Sequence, residues 1–294
     1  MKNFAIISDG ACDLLPEYTS AHDITIVPFY VTFDGTVYTK EGQGIDHDAF
    51  YEKMINEHDV PKSSLPSVGD YLEAFTPFAK DGIPVICICI TSKFSGSFNS
   101  ARTASMELQS IYPEAKIAVI DSTLNTMSEA LLVHELVRMR DSGLSFEDAV
   151  ANTERIKTTG RIYFTIGSME YLVKNGRVGK LAVLAGDKLG IRPVIIMRDG
   201  NITLGGITRS RRKSKQAVIN CLNKYITTEI NPAEYNFLVG VGYDLEERES
   251  FLKEVETALS IKNCNEIKAR IGTTIGCHTG PYPIGVALLK RYDA

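Results

Sequence analysis

The residues best placed to do chemistry are hydroxyls crowded into one short stretch. Thr91, Ser92, Ser95, Ser97 and Ser100 follow directly on six apolar residues, Val85–Ile90 (VICICI). An apolar run of this length, closed by turn residues, predicts a buried strand. Beyond the hydroxyls, Ala101, Ala104, Leu108 and Ile111 recur at helical spacing. The hydroxyls therefore stand where a strand ends and a helix begins. Free backbone N–H groups and the helix dipole favour an anion at such a point. No G-x-x-x-x-G-K-[ST] pattern accompanies them, which excludes a P-loop. Neutral donors beside an apolar strand suit a small, weakly solvated anion, such as a carboxylate on an apolar body.

Two other loops carry polar or glycine-rich clusters: Ser63–Ser67 (SSLPS) and Ile275–Gly285 (IGCHTGPYPIG). Ser67-Val-Gly-Asp70 has the form of a capping box, so a helix cap accounts for Ser67. Ser63 and Ser64 precede that helix and are not explained as caps. For Ser95 and Ser97, capping and ligand binding are both open and compatible. His278 is isolated among glycines, which predicts a constrained loop rather than a core helix. With no second histidine and no carboxylate near it in the sequence, a metal site is not expected there. Asp9 and Asp13 close the first strand; turn and capping roles are expected, with an acidic metal corner as the alternative. Arg209–Lys215 (RSRRKSK) reads as a solvated helix start. Cations at a helix N-terminus oppose its dipole, so a facing anion or an acidic partner would relieve them. Nucleic acid is not expected, because no aromatic platform is interleaved with the charges.

These residues need a scaffold, and the hydrophobic pattern supplies one. Strands are predicted at Phe4–Ile7, Ile24–Phe33, Val85–Ile90 and Lys116–Ile120. Helices alternate with them near Leu14–Ala21, Asp46–Glu57, Val68–Lys80, Thr126–Asp141 and Phe146–Lys157, and Pro61–Ser67 reads as a breaker-rich loop. Such alternation predicts an α/β layer fold with a mostly parallel sheet. The second half differs. Pro193–Arg198 and Ile202–Ile207 flank Asp199-Gly200, a hairpin signal. Further strands are expected at Ile162–Ile166, Phe237–Gly242, Glu266–Ile271 and Ile284–Lys290. Helices are expected at Met169–Lys174, Arg211–Tyr225 and Glu246–Leu259. The expected organisation is an N-terminal three-layer α/β domain over 1–159 and a C-terminal α/β domain with a mixed sheet over 160–294, with any ligand at their interface.

A chain of 294 residues exceeds what one core usually fills, which agrees with two domains. Its net charge of −4 supplies no basic field for nucleic acid or anionic membrane. The cysteines (Cys12, Cys87, Cys89, Cys221, Cys264, Cys277) show no C-x-x-C spacing, and are expected to be reduced thiols of a cytoplasmic protein. The opening MKNFAIISDG lacks the apolar length of a signal peptide, and no run approaches a membrane span, so no stable membrane anchor is expected.

Taken together, the segments resemble the DegV family of bacterial fatty-acid-binding proteins, over nearly the whole chain. Asp9-Gly10-Ala11-Cys12-Asp13-Leu14 is similar to the family's opening D-S-x-x-D-L, with Gly10 in the serine place. Ser63-Ser64-Leu65-Pro66-Ser67 is similar to T-S-Q-P-S, with Leu65 for glutamine. Thr91–Ala101 matches S-S-x-L-S-G-T-x-x-S-A, and Ile120-Asp121-Ser122 matches a V-I-D-S strand end. Glu170–Gly179 matches E-Y-L-x-K-G-G-R-I-G. Gly276–Gly285 matches G-x-H-T-G-P-G-x-x-G, with Tyr282 in a glycine place.

The resemblance implies a two-domain lipid-binding protein, not itself an enzyme, that needs no cofactor or metal and holds one long-chain fatty acid in an apolar tunnel. Ser63 and Ser95 would hydrogen-bond the carboxylate, with Ser64, Gly96 and Ser97 as neighbouring donors and His278 close by. The partner implied is the ATP-binding subunit of a fatty acid kinase, which makes acyl phosphate for phospholipid synthesis. Arg177 would lie at the mouth, and a docking face there could include Arg209, Arg211 and Arg212. The alternative is a serine hydrolase using Ser95 and His278 on lipid-like esters. It lacks a G-x-S-x-G elbow and an identifiable acid to orient the histidine.

Overall fold

The computed structural model describes residues 3–44, 46–179, 181 and 190–294. In chain order the first half runs β1 (Ala5–Asp9), α1 (Pro16–Ala21), β2 (Ile24–Val27), β3 (Tyr30–Thr32), β4 (Thr39–Lys40), α2 (His47–Asn56), β5 (Lys62–Ser64), α3 (Val68–Lys80), β6 (Val85–Cys89), α4 (Ser97–Ile111), β7 (Ile117–Asp121), α5 (Thr126–Asp141) and α6 (Phe146–Lys157). The second continues with β8 (Arg161–Thr165), α7 (Glu170–Lys174), β9 (Arg192–Arg198), β10 (Asn201–Thr208), α8 (Arg211–Glu229), β11 (Tyr235–Val241), α9 (Leu245–Leu259), α10 (Thr273–Thr279) and β12 (Ile284–Lys290).

The continuous apolar run of β6 marks the middle of a parallel sheet, ordered β2-β1-β6-β7. Every residue of β6 is buried, because side chains on both faces of a parallel sheet meet helices. On one face Ile7, Val85 and Cys87 pack with Tyr71 and Phe75 of α3 and Ala101, Ala104 and Leu108 of α4. On the other, Ile6, Ile86 and Ile88 pack with Leu131, Leu132 and Leu136 of α5. This gives the three layers.

Helix α5 is buried along nearly its whole length. The cause is its position between two sheets: it contacts β1 on one side and β11 and β12 on the other. It is therefore the element through which the two sheets share a core. The second sheet is ordered β10-β9-β8-β12-β11, and every pairing in it is antiparallel, where a mixed sheet was expected. The β9–β10 pairing follows from the hairpin at Asp199-Gly200, where both residues take left-handed backbone (φ 51° and 70°), as a type I′ turn requires. The tip of that hairpin lies against the hydroxyl-rich loop, and Lys93 Nζ donates to the Asp199 carbonyl at 2.9 Å.

Three local expectations change. The run Ile24–Phe33 is not one strand: it divides around Pro28, and β3 leaves the parallel sheet to join a small antiparallel sheet, β4-β3-β5. Pro61–Ser67 is not all loop, since Lys62–Ser64 pairs with β3, Ser63 opposite Val31. Glu266–Ile271 is not a strand; it makes one isolated bridge, Leu14 to Ala269, and its Lys268 carbonyl accepts from the Leu15 N–H. Among the described residues no helix is long and apolar enough to cross a membrane.

Candidate functional site

The glycine-rich segment around His278 folds as helix α10 rather than as the expected loop, with His278 in its last turn. Two carboxylates from the first half of the chain, the half-buried Glu41 and the buried Asp13, hold its start. Glu41 accepts from the hydroxyls of Thr273 (2.7 Å) and Thr274 (2.9 Å) and from the Thr274 N–H (3.0 Å). Asp13 accepts from the Gly272 N–H at 2.9 Å and from the Thr126 hydroxyl. The other end is tied by Asn175, whose side-chain amide donates to the carbonyls of Cys277 (2.8 Å) and Pro61 (3.2 Å). These ties set α10 against β5. Ser63 Oγ and His278 Nε2 consequently lie 3.0 Å apart, although 215 positions separate them in the chain.

His278 is mostly buried, and loss of hydration together with the nearby Arg177 guanidinium lowers its pKa to about 4. The ring is therefore neutral near pH 7. Its Nδ1 is buried without a hydrogen-bond partner. That arrangement gives no support to the hydrolase alternative. The histidine meets Ser63 rather than Ser95, and no acid orients its second nitrogen.

Ser95 lies just before α4. Its oxygen accepts the Ser97 N–H at 3.2 Å, which uses a lone pair and not the hydroxyl proton. Helices α2, α3, α6, α8 and α9 each begin with a side-chain cap from Asp46, Ser67, Ser145, Ser210 and Asp244. Helix α4 begins on Gly96, with no side-chain cap. Beyond the Ser97 N–H, which Ser95 takes, the N–H groups of its first turn have no side-chain cap and face another acceptor. The methyls of Leu65 lie over this start, 3.6 and 3.7 Å from where a Cβ on Gly96 would stand. Ser97 goes elsewhere. Its hydroxyl donates to Asp9 Oδ2 (2.6 Å) and meets the Tyr71 hydroxyl (2.6 Å), so it is buried beneath the site rather than in its wall.

Ser63, Ser64, Ser95 and His278 line a common cavity of about 170 Å³, and Arg177 stands in the same wall. Arg177 is exposed and held in place by donating to the carbonyls of Asn175 (2.6 Å) and Phe94 (3.3 Å). Away from the hydroxyls the lining is apolar: Phe29, Ile90, Phe164, Leu172, Ile202 and Ile275. A second chamber of about 40 Å³ lies further in and shares the walls Asn125, Phe164, Ile275 and Thr279. The arrangement is a greasy channel with uncharged donors at one end.

The remaining sequence candidates are structural. Asp9 accepts from Ala11 N–H (3.2 Å), Ile90 N–H (3.0 Å) and Ser97, and acts as a cap; burial pushes its pKa up to about 7 against the pull of those donors. Ser67 and Asp70 form the capping box of α3. In the basic run, Arg211 is taken up by the Glu247 carboxylate and the Tyr282 carbonyl, and Lys215 lies 3.5 Å from the same glutamate. The anion that relieves this helix start is therefore Glu247, within the chain. Arg209 and Arg212 stay exposed. Asn125, Leu172, Asn175 and Glu41 were not anticipated. Asn175-Gly176 carried a turn signal; nothing in the sequence singled out Glu41.

Comparison with known proteins agrees with this architecture. The family model for "Uncharacterised protein, DegV family" matches residues 3–291. A DegV domain-containing protein of Caldanaerobacter subterraneus is 30% identical, with 97% of this chain and 98% of the relative covered. A stearic acid-binding protein from Eubacterium ventriosum superposes with a TM-score of 0.95 at 46% identity, covering 99% of each chain. A DegV family protein from Thermus thermophilus, described for its fatty acid binding, shares the fold at a TM-score of 0.86 and 20% identity, over 99% of this chain and 100% of its own.

Proposed function

The chain belongs to the DegV family, and we propose on that basis that it binds one long-chain fatty acid, tail in the apolar channel and carboxylate among Ser63, Ser64, Ser95 and His278. The observation that carries this reading is the meeting of four features at one end of the cavity: the Ser63–His278 pair, Ser95, the uncapped start of α4, and apolar walls leading away. The stearic acid-binding relative at 46% identity supports it.

The energetics agree. Each buried CH₂ contributes roughly 0.8 kcal/mol, so the fourteen of a C16 acid supply about 11 kcal/mol before immobilisation costs. Burying an unpaired carboxylate would offset much of that. Hydroxyl and N–H donors to a charged group return about 1.5–3 kcal/mol each. Tail burial thus supplies affinity, and the donors fix where the head lies. Organic extraction of the purified protein followed by mass spectrometry should yield a long-chain acid in stoichiometric amount. In a fluorescent fatty-acid titration Ser95→Ala should weaken binding by about 1–3 kcal/mol; unchanged affinity would remove Ser95 from the head-group site.

We further propose that the held carboxylate is offered to a separate ATP-binding fatty acid kinase, at a face that includes Arg177, Arg209 and Arg212. The exposure of all three supports this, and Arg177 belongs to the cavity wall itself. Arg211 is set aside from that face because Glu247 already neutralises it. Arg212→Glu should abolish acyl phosphate formation with the kinase while fatty-acid affinity stays unchanged. Full phosphorylation of the acid bound to that variant would refute the docking role.

A further inference from the structure

Deep in the channel, Met127 lies across Gly240. Met127 is the second residue of α5, and Gly240 lies in β11. Both wall the inner chamber of about 40 Å³. A Cβ on Gly240 would stand 2.4 Å from Met127 Cγ and 3.1 Å from its Sδ. The strand thus carries a glycine where the thioether lies flat against it. Because the inner and outer chambers share walls, a tail running inward from Ser63 and Ser95 meets this side chain.

Two of the other inner walls are fixed at the backbone. Ile162 and Ala287 belong to β8 and β12, paired with each other in the interior of the five-stranded sheet, and moving them would break the ladder. Methionine is different. It is unbranched, has three rotatable bonds, and fills irregular gaps without a fixed partner. Met127 is 2% exposed, so it can move only within the core, and in moving it gives up its packing against the bare backbone of Gly240.

We propose that Met127 is the movable stop that sets the length of acyl chain this protein accepts. This rests on the fatty-acid reading above and adds the residue that decides among fatty acids. The thioether occupies the inner chamber's edge when the tail is short, and a longer tail displaces it at the cost of its packing.

The test is a titration of the full chain with saturated acids from ten to twenty carbons, on the native protein, Met127→Ala and Met127→Phe. Alanine removes Cγ, Sδ and Cε, so the preferred length should rise by about two to four carbons. Phenylalanine, larger and stiffer, should lower it by a similar step, with the shortest acids bound as well as before. An identical length optimum in all three proteins would overturn the proposal. Should the alanine variant fail to fold, the phenylalanine variant alone decides, since it fills space instead of opening it. Failure of every acid to bind the native protein would instead overturn the fatty-acid reading, and the stop with it. The two failures are thus distinct in the data.

Discussion

Octanoate should bind this protein about a thousandfold more weakly than palmitate, the largest effect expected of any change of ligand. Eight CH₂ groups separate the two acids. At roughly 0.8 kcal/mol each they represent about 6 kcal/mol of gross burial. Freezing the extra rotatable bonds returns part of this, and about 4 kcal/mol remains, which is three orders of magnitude. The head group is the same in both ligands, so every donor at Ser63, Ser95 and His278 cancels from the comparison. What is left reports the channel: Phe29, Ile90, Phe164, Leu172 and Ile275. Isothermal titration with both acids, below their micellar concentrations, measures the ratio. Affinities within tenfold of each other would mean that the carboxylate alone is recognised and the apolar cavity is not where the tail goes. A graded series between the two lengths should also give an increasingly negative heat-capacity change, the mark of apolar burial.

How far the site could be read from the chain depends on how local each part is. The β6–α4 junction was legible because strand, hydroxyls and helix are contiguous, so periodicity alone positions Ser95. The capping box at Ser67 was legible for the same reason. Ser63 facing His278 was not, since that contact closes over 215 positions and depends on carboxylates elsewhere. Only family likeness joined the two. Helix α10 was missed because its glycines argue against a helix by propensity, yet Gly276 must lack a side chain: a Cβ there would stand 2.9 Å from the Tyr51 hydroxyl. Tertiary packing overrode local preference. The division of Ile24–Phe33 was signalled by Pro28, but not the departure of β3 to another sheet, which is a property of the partners β4 and β5. Ser97 shows the limit of motif transfer. It occupies the family position, while its hydroxyl is committed to Asp9 and Tyr71 beneath the site.

That commitment makes Asp9→Ala the substitution with the largest expected effect. The Asp9 carboxylate ends β1 and ties three things together: the Ala11 N–H at the following turn, the Ile90 N–H at the end of β6, and the Ser97 hydroxyl at the start of α4. Alanine would leave all three donors without their acceptor in a buried place, at about 1–3 kcal/mol for each that water cannot reach. A loss of roughly 3–6 kcal/mol of stability is expected on those grounds, a large part of what a domain possesses. The damage should also reach the ligand. The Ser97 N–H is what Ser95 Oγ accepts, so releasing Ser97 frees Ser95 from its position, and fatty-acid affinity should fall about as far as in Ser95→Ala. Asp9→Asn separates the two consequences. It retains the shape and one acceptor oxygen but turns an NH₂ toward a donor, so its stability should lie between native and alanine. Urea unfolding of both variants, with fatty-acid titration in the folded baseline, measures stability and affinity on the same samples. An Asp9→Ala protein within about 1 kcal/mol of native stability would show that β1, β6 and α4 hold their places without this carboxylate. Ser95 would then owe its position to the loop alone.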